Sequence, residues 1–138
     1  MEWILSAGQT ILAFIIVLGV LVFVHELGHR LENELPNATK LAVEFRDMRI
    51  KRSGTKTVKL KDVFPTADYE DWETGNPDDF IKTFGANGAH YIGKEYGGNR
   101  STEVISMGVE ELFDDAANLA ENDPEYFNFV ICVLRGVL

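Results

Sequence analysis

From Trp3 to Val24 the chain runs 22 residues without a charge, and from Ile11 to Val24 every residue is apolar or glycine. About 20 such residues, as a helix, cross the roughly 30 Å hydrocarbon core of a bilayer. A helix that is apolar all round must be buried, in lipid or in a protein core, and core helices are usually shorter. The segment therefore reads as a membrane anchor over residues 1–24, running into a domain over residues 25–138. Glu2 stands where a cleavable signal peptide has basic residues, and no small-x-small site follows the apolar run, so the anchor is expected to stay attached. Arg30, Lys40, Arg46 and Arg49 follow the run and no Lys or Arg precedes it, which predicts a cytoplasmic domain.

The apolar run ends in His25-Glu26-Leu27-Gly28-His29. Histidines at i and i+4 project from one face of a helix about one turn apart, so both imidazoles can bind one Zn2+. Zinc lowers the pKa of a bound water toward neutrality, and Glu26 is placed to take that water's proton and pass it to a leaving amine. The expected activity is hydrolysis of peptide bonds in a protein or peptide substrate. Gly28 costs about 1 kcal/mol of helix propensity, which suggests that another segment crowds against it.

A catalytic zinc needs a third protein ligand and an open position. His90, Glu103, Glu110, Glu111 and several aspartates are available. The segment Ser101–Leu112 reads as a helix opened by a Ser or Thr cap, with Val104, Met107, Gly108 and Leu112 toward the core. Glu103 is preferred as the ligand, with Glu110, on the same face, as a supporting or spare group and His90 as the rival. A glutamate at Glu103 is also what the positive end of a helix dipole favours. The glycine-rich stretch from Ala89 to Gly98 reads as a loop or hairpin in which Tyr91 or Tyr96 can donate to a developing oxyanion or simply pack.

The remaining elements are set by punctuation. Pro36-Asn37 ends the first helix, and Leu41, Phe45 and Met48 recur at helical spacing before Ser53-Gly54. Asp123-Pro124 opens a last helix and Gly136 stops it; its apolar residues cover more than one face, which predicts a position at the centre of the core. Cys132 lies in that helix and reads as a small buried hydrophobe. Strands are few, and the acidic stretch Asp68–Asp79 around Trp72 reads as a solvated loop. The net charge of −9, from 22 acidic and 13 basic residues, argues against nucleic acid as a partner.

The run from Ile11 through His29 resembles the first transmembrane helix of the site-2 protease family of intramembrane zinc metalloproteases. Charge follows at once in Arg30-Leu31-Glu32-Asn33-Glu34, and no second apolar span or Leu-Asp-Gly motif follows, so the resemblance ends at His29. The blocks from His25 to Glu32, Tyr91 to Tyr96, Thr102 to Gly108 and Asp123 to Phe127, with Leu134 to Gly136, resemble the zincin-like peptidase domain of phage head and minor capsid proteins. They are similar also to the lethal-factor type of zinc peptidase. That resemblance implies a mainly helical α+β zincin-like domain, zinc held by His25, His29 and Glu103, and a tyrosine seven positions before the glutamate, which is Tyr96, assisting catalysis. It also implies the alternatives of a non-enzymatic phage head or assembly protein with a structural zinc, or a truncated intramembrane protease. The two resemblances overlap in one pentapeptide, as in a join of two families. The site is expected at a membrane boundary or in a soluble cleft.

Overall fold

The computed structural model describes residues 2–54, 56–76, 90–96 and 102–136, with side chains from residue 8 onward. Helix α1 (Glu2–Glu34) is continuous for 33 residues, about 50 Å at 1.5 Å per residue. The anchor and the metal motif therefore share one rod. Its apolar part is long enough to cross a membrane. There the large side chains between Ile11 and Phe23, Leu21 apart, stay exposed, Phe14 at 66% and Phe23 at 67%.

From Val24 onward α1 joins a small helical domain. Pro36 and the left-handed Asn37 (φ 68°) turn the chain into α2 (Ala38–Ser53), which stops at Gly54 (φ 66°), whose N–H bonds Ile50 O at 3.0 Å. Strand β1 (Val58–Lys59) pairs antiparallel with β2 (Thr74–Gly75) in the register Val58 to Gly75 and Lys59 to Thr74. The short helix α3 (Leu60–Val63) lies between them, with Leu60 fully buried. Thr74 also bridges to Glu95, tying the segment 90–96 to this ribbon. Helix α4 (Val104–Asn122) packs along α1, and α5 (Pro124–Leu134) packs on α4. The fold is mainly helical with a two-stranded sheet.

Buried Val24, Ala42, Phe45, Ile92, Val104, Ile105, Val109, Leu119, Tyr126, Val130 and Val133 form one core. Phe45 stacks on Phe129 with centroids 4.4 Å apart. Asp123 caps α5 by accepting from Tyr126 N at 3.1 Å, with Pro124 in the first turn. Gly136 (φ 62°) follows its end.

Four expectations change. The helix expected over Ser101–Leu112 starts with Glu103 as the capping position and without a side-chain cap bond, and it extends to Asn122 across a kink at Asp115 (φ −148°, ψ 78°). Asp115 Oδ1 accepts from Asn118 N at 2.9 Å, the geometry of a new helix start, which is why the chain breaks and resumes there. On α2, Met48 faces solvent at 43% exposure while Arg46 and Arg49 are buried at 2% each. Helix α5 lies at the side of the core and not at its centre. It buries Tyr126, Val130 and Val133 on one face, and Cys132 and Leu134 are exposed on the other. The loop expected around Tyr91 contains a helical turn at 90–92 and the Glu95 bridge.

Candidate metal centre

The site forms where α1 and the start of α4 cross. Gly28 permits the crossing: a Cβ there would lie 2.4 Å from Ser106 Cα, so any side chain would push the two helices apart. The crowding expected at Gly28 is thus the backbone of α4. Because His25 and His29 flank Gly28 on α1, and Glu103 precedes Ser106 by three residues, close approach of the two backbones delivers all three side chains to one point.

His25 Nε2 and His29 Nε2 are 3.2 Å apart. Glu103 Oε2 is 3.5 Å from His29 Nε2 and 4.0 Å from His25 Nε2. Ligands 2.0–2.1 Å from a tetrahedral zinc ion stand about 3.3 Å from one another, so this triangle has the size of one face of such a site. Two imidazole nitrogens and one carboxylate oxygen are also a donor set that zinc accepts with a fourth position open. Among the described residues this is the one cluster with metal-ligand spacing. His90, Glu110 and Glu111, also candidates, are outside it.

Surrounding groups hold the ligands. His25 Nδ1 is 3.2 Å from Glu110 Oε2, so an Nδ1–H donating there leaves the Nε2 lone pair facing the triangle. Glu103 is 1% exposed, and both its oxygens are engaged. Tyr96 Oη donates to Oε1, and Ser106 Oγ donates to Oε2 at 3.0 Å. Burial, followed by the hydrogen bond and charge of Glu103, holds the Tyr96 phenol well above the usual phenol range, so it remains a proton donor at neutral pH. Tyr91 is shifted in the same direction, chiefly by burial and then by the Glu103 charge. Glu26 follows His25 on the same turn and is exposed to solvent.

Several contributors lie outside what the motif indicates. Lys94 is 8% exposed, pairs with Glu73 at 2.7 Å and sits 4.7 Å from the centre of the Tyr96 ring, fixing the ring that reaches Glu103. Glu73, in the stretch expected to be solvated, has its carboxyl lowered by this lysine. Glu32 Oε1 accepts from Thr102 N at 3.0 Å and from Thr102 Oγ1 at 3.2 Å, tying the end of α1 to the residue before Glu103. The interval from Glu32 to Thr102 is 70 residues. The sequence marks Glu32 only by its place one turn after His29.

Beside His25 lies a cavity of about 300 Å³ lined by Leu18, Leu21, Val22, His25 and Glu110. A second, of about 280 Å³, is lined by Leu21, Met107, Glu110, Glu111 and Asp114. Comparisons with protein-family models, curated proteins and solved structures find no match for this chain.

Proposed function

We propose that this chain is a zinc-dependent peptidase held at a membrane by the apolar part of α1. The observation that carries the reading is the triangle of His25 Nε2, His29 Nε2 and Glu103 Oε2, with sides of 3.2, 3.5 and 4.0 Å. The resemblance of residues 25–138 to phage zincin-like domains supports the same ligand set. Zinc held there by His25, His29 and Glu103 would supply a Lewis acid that lowers the pKa of a bound water to about 7. Glu26, exposed on the turn of the two histidines, accepts a proton from the attacking water and returns it to the amine that leaves. Tyr96 turns its single O–H from Glu103 Oε1 to the oxygen that gains charge as the peptide carbonyl is attacked. Glu110 keeps the His25 tautomer, and Ser106 keeps the Glu103 carboxylate in place.

The anchoring part of the proposal rests on the exposed apolar surface between Ile11 and Phe23, which is far larger than the scattered apolar residues of a soluble monomer. The basic residues that follow it favour a cytoplasmic domain. A second reading has one observation in its favour: the site clamps α1 to α4, so the same three ligands can serve the fold alone, as in a non-enzymatic assembly protein.

The test is metal analysis and proteolysis of the full chain in detergent. The peptidase reading expects one zinc per chain, its loss in His29→Ala and Glu103→Gln, and peptide hydrolysis abolished by Glu26→Gln with zinc retained. Hydrolysis indifferent to Glu26→Gln, or no stoichiometric zinc in metal-replete protein, overturns it. Zinc that stabilises the fold with no hydrolysis of any substrate supports the structural reading.

A further inference from the structure

Helix α4 runs antiparallel to α1, and the residues that meet along it fix how far the domain climbs the apolar rod. Glu103 meets His29, Ser106 meets Gly28, Glu110 meets His25, and Asp114 shares a cavity wall with Leu21. Asp114 and Asp115 are exposed, and carboxylates are held out of hydrocarbon by the cost of losing water. The hydrocarbon therefore ends on α1 near Leu21. The uncharged run from Trp3 to Leu21 still rises about 27 Å, close to the roughly 30 Å of a bilayer core. Phe23 on α1 and Phe113, next to Asp114 on α4, are 67% and 60% exposed at this level, where aromatic rings collect between lipid and water. His25 lies four residues beyond Leu21, a rise of about 6 Å, and headgroups occupy about 5–7 Å on each side of the core. The cavity beside His25 covers the same interval. Its wall runs from Leu18, on the hydrocarbon side of that boundary, through Leu21 and Val22 to His25 and Glu110, about 10 Å along α1.

We propose that the substrate is a second membrane-anchored polypeptide, cut in the segment that leaves its own membrane span. A chain emerging from the hydrocarbon beside α1 meets Leu18, Leu21 and Val22 first and arrives at His25 within the headgroup layer. Extended chain covers about 6 Å in two residues, so the scissile bond falls about two to five residues beyond the substrate's span. Occupancy by such a segment accounts for an apolar cavity wall that continues the lipid-facing surface of α1 and ends beside the ligands. Co-anchoring also confines enzyme and substrate to one surface, which raises their effective concentration. The assignment rests on the peptidase reading and its membrane anchor, because the metal centre is what makes the cavity a place for a scissile bond.

The test places the zinc-loaded full chain and a model substrate together in phosphatidylcholine liposomes, with flotation confirming that both are in the lipid. The substrate has a Leu-Ala span of about 20 residues followed by a tail of identical Ala-Ser-Leu-Phe-Gly blocks, so the sequence is the same at every distance from the membrane. Mass spectrometry reads where the tail is cut, and the same tail without a span is the soluble control. Binding is read separately with the zinc-loaded Glu26→Gln protein, by crosslinking from a benzoylphenylalanine placed about 3 or about 20 residues beyond the span. Cuts are expected in the first block, at a rate at least about tenfold above the soluble tail, with crosslinks from the near position alone. Leu18→Trp, checked for retained zinc, narrows the cavity and is expected to weaken the near crosslink. Glu26-dependent cuts spread evenly along the tail, or equal rates for anchored and soluble tails, overturn the substrate assignment and leave the peptidase reading standing. Near-only crosslinks that Leu18→Trp weakens, without hydrolysis of either tail, support the cavity as the seat of an anchored chain and overturn the peptidase reading. Equal crosslinks from both positions, none from either, or a near crosslink indifferent to Leu18→Trp overturn the assignment.

Discussion

Glu32 is the side chain whose protonation matters most for the domain. It is 3% exposed, lies beyond the apolar part of α1, and its Oε2 is buried without a hydrogen-bond partner while Oε1 accepts from Thr102. Burial, partly offset by the two Thr102 hydrogen bonds, raises its pKa from 4.5 to about 7. The folded value is above the unfolded one, so the stability that protonation contributes is complete below pH 4.5 and is lost as the pH rises through 7. The shift corresponds to about 3 kcal/mol between those limits. Urea titrations with a chelator present are expected to show the domain becoming less stable from pH 5 to pH 8. Glu32→Gln, which keeps an acceptor and removes the charge, is expected to flatten that slope; an unchanged slope removes Glu32 as its cause. The metal-free protein is the correct state for this measurement, because zinc on Glu103 would change the field at Glu32. A second substitution isolates the crossing of the backbones. Gly28→Ala gains about 1 kcal/mol in helix propensity but forces Ser106 away, and overpacking of this kind costs about 1–3 kcal/mol. The melting temperature is expected to fall modestly and zinc affinity to fall more, because separation of α1 from α4 widens the ligand triangle. Unchanged zinc affinity in a calorimetric titration would show that the contact does not set the site.

The helices show what the sequence made legible. Boundaries written in local chemistry read directly: Pro36-Asn37 and Gly54 around α2, Asp123-Pro124 and Gly136 around α5. The two histidines, one turn apart on α1, were legible for the same reason, and Glu103 came from its place at the start of a later helix. Which face of each helix turns inward was less legible, because that depends on partners distant in the chain. Helix α2 shows why. Apolar spacing points to Met48, yet the buried face carries Arg49, whose Nη1 and Nη2 donate to Asp123 Oδ1 and Oδ2 at 2.8 and 2.7 Å. That guanidinium also lies over the Phe45 ring at 5.5 Å, and Arg46 Nη1 donates to Lys94 O at 3.2 Å. A carboxylate 74 residues away helps make an inward arginine tolerable, and periodicity carries no trace of it. Asp123 therefore serves twice, as the cap of α5 and as the counter-charge of Arg49. Removing one partner of a buried pair costs about 3–5 kcal/mol, because the other charge is stranded. Asp123→Ala is expected at the lower end of that range, since Glu125 lies 3.6 Å from Arg49 Nη1 and takes over part of the charge. Asp123→Asn, which keeps the cap, is expected to cost less. Equal losses for the two variants in chemical unfolding would show the ion pair, and not the cap, to be the dominant contribution.

The molecule divides its apolar surface between two environments along one rod. Below Val24, α1 gives Gly28, Leu31 and Glu32 to the domain, and above it the large side chains from Ile11 to Phe23, Leu21 apart, are left exposed by the described residues. His25 is the second residue after Phe23, a rise of about 3 Å, so the candidate metal centre stands near the level where the long run of exposed apolar side chains ends. This geometry explains how a chain can carry both a long apolar run and a cluster that includes Glu103 and Glu110. The run needs no partner within the fold if lipid covers it, and the carboxylates need water or a cation, which the domain side provides. Substitutions high on the rod should accordingly separate anchoring from folding. Phe14 and Val17 are 66% and 57% exposed and lie outside the buried core. A charged residue near the middle of a membrane helix costs about 2.5–3.5 kcal/mol on insertion scales, so Phe14→Lys with Val17→Lys imposes a penalty on insertion and almost none on the domain. In liposome flotation the wild-type chain is expected to rise with the lipid and the double variant to remain largely at the bottom. Zinc content and the thermal unfolding of the domain are expected to be unchanged, because neither substituted side chain belongs to the buried core. If the variant floats as the wild type does, the apolar part of α1 is not what holds the chain to lipid. If it loses zinc or unfolds, α1 is a core helix of a larger assembly whose surface the two lysines disrupt.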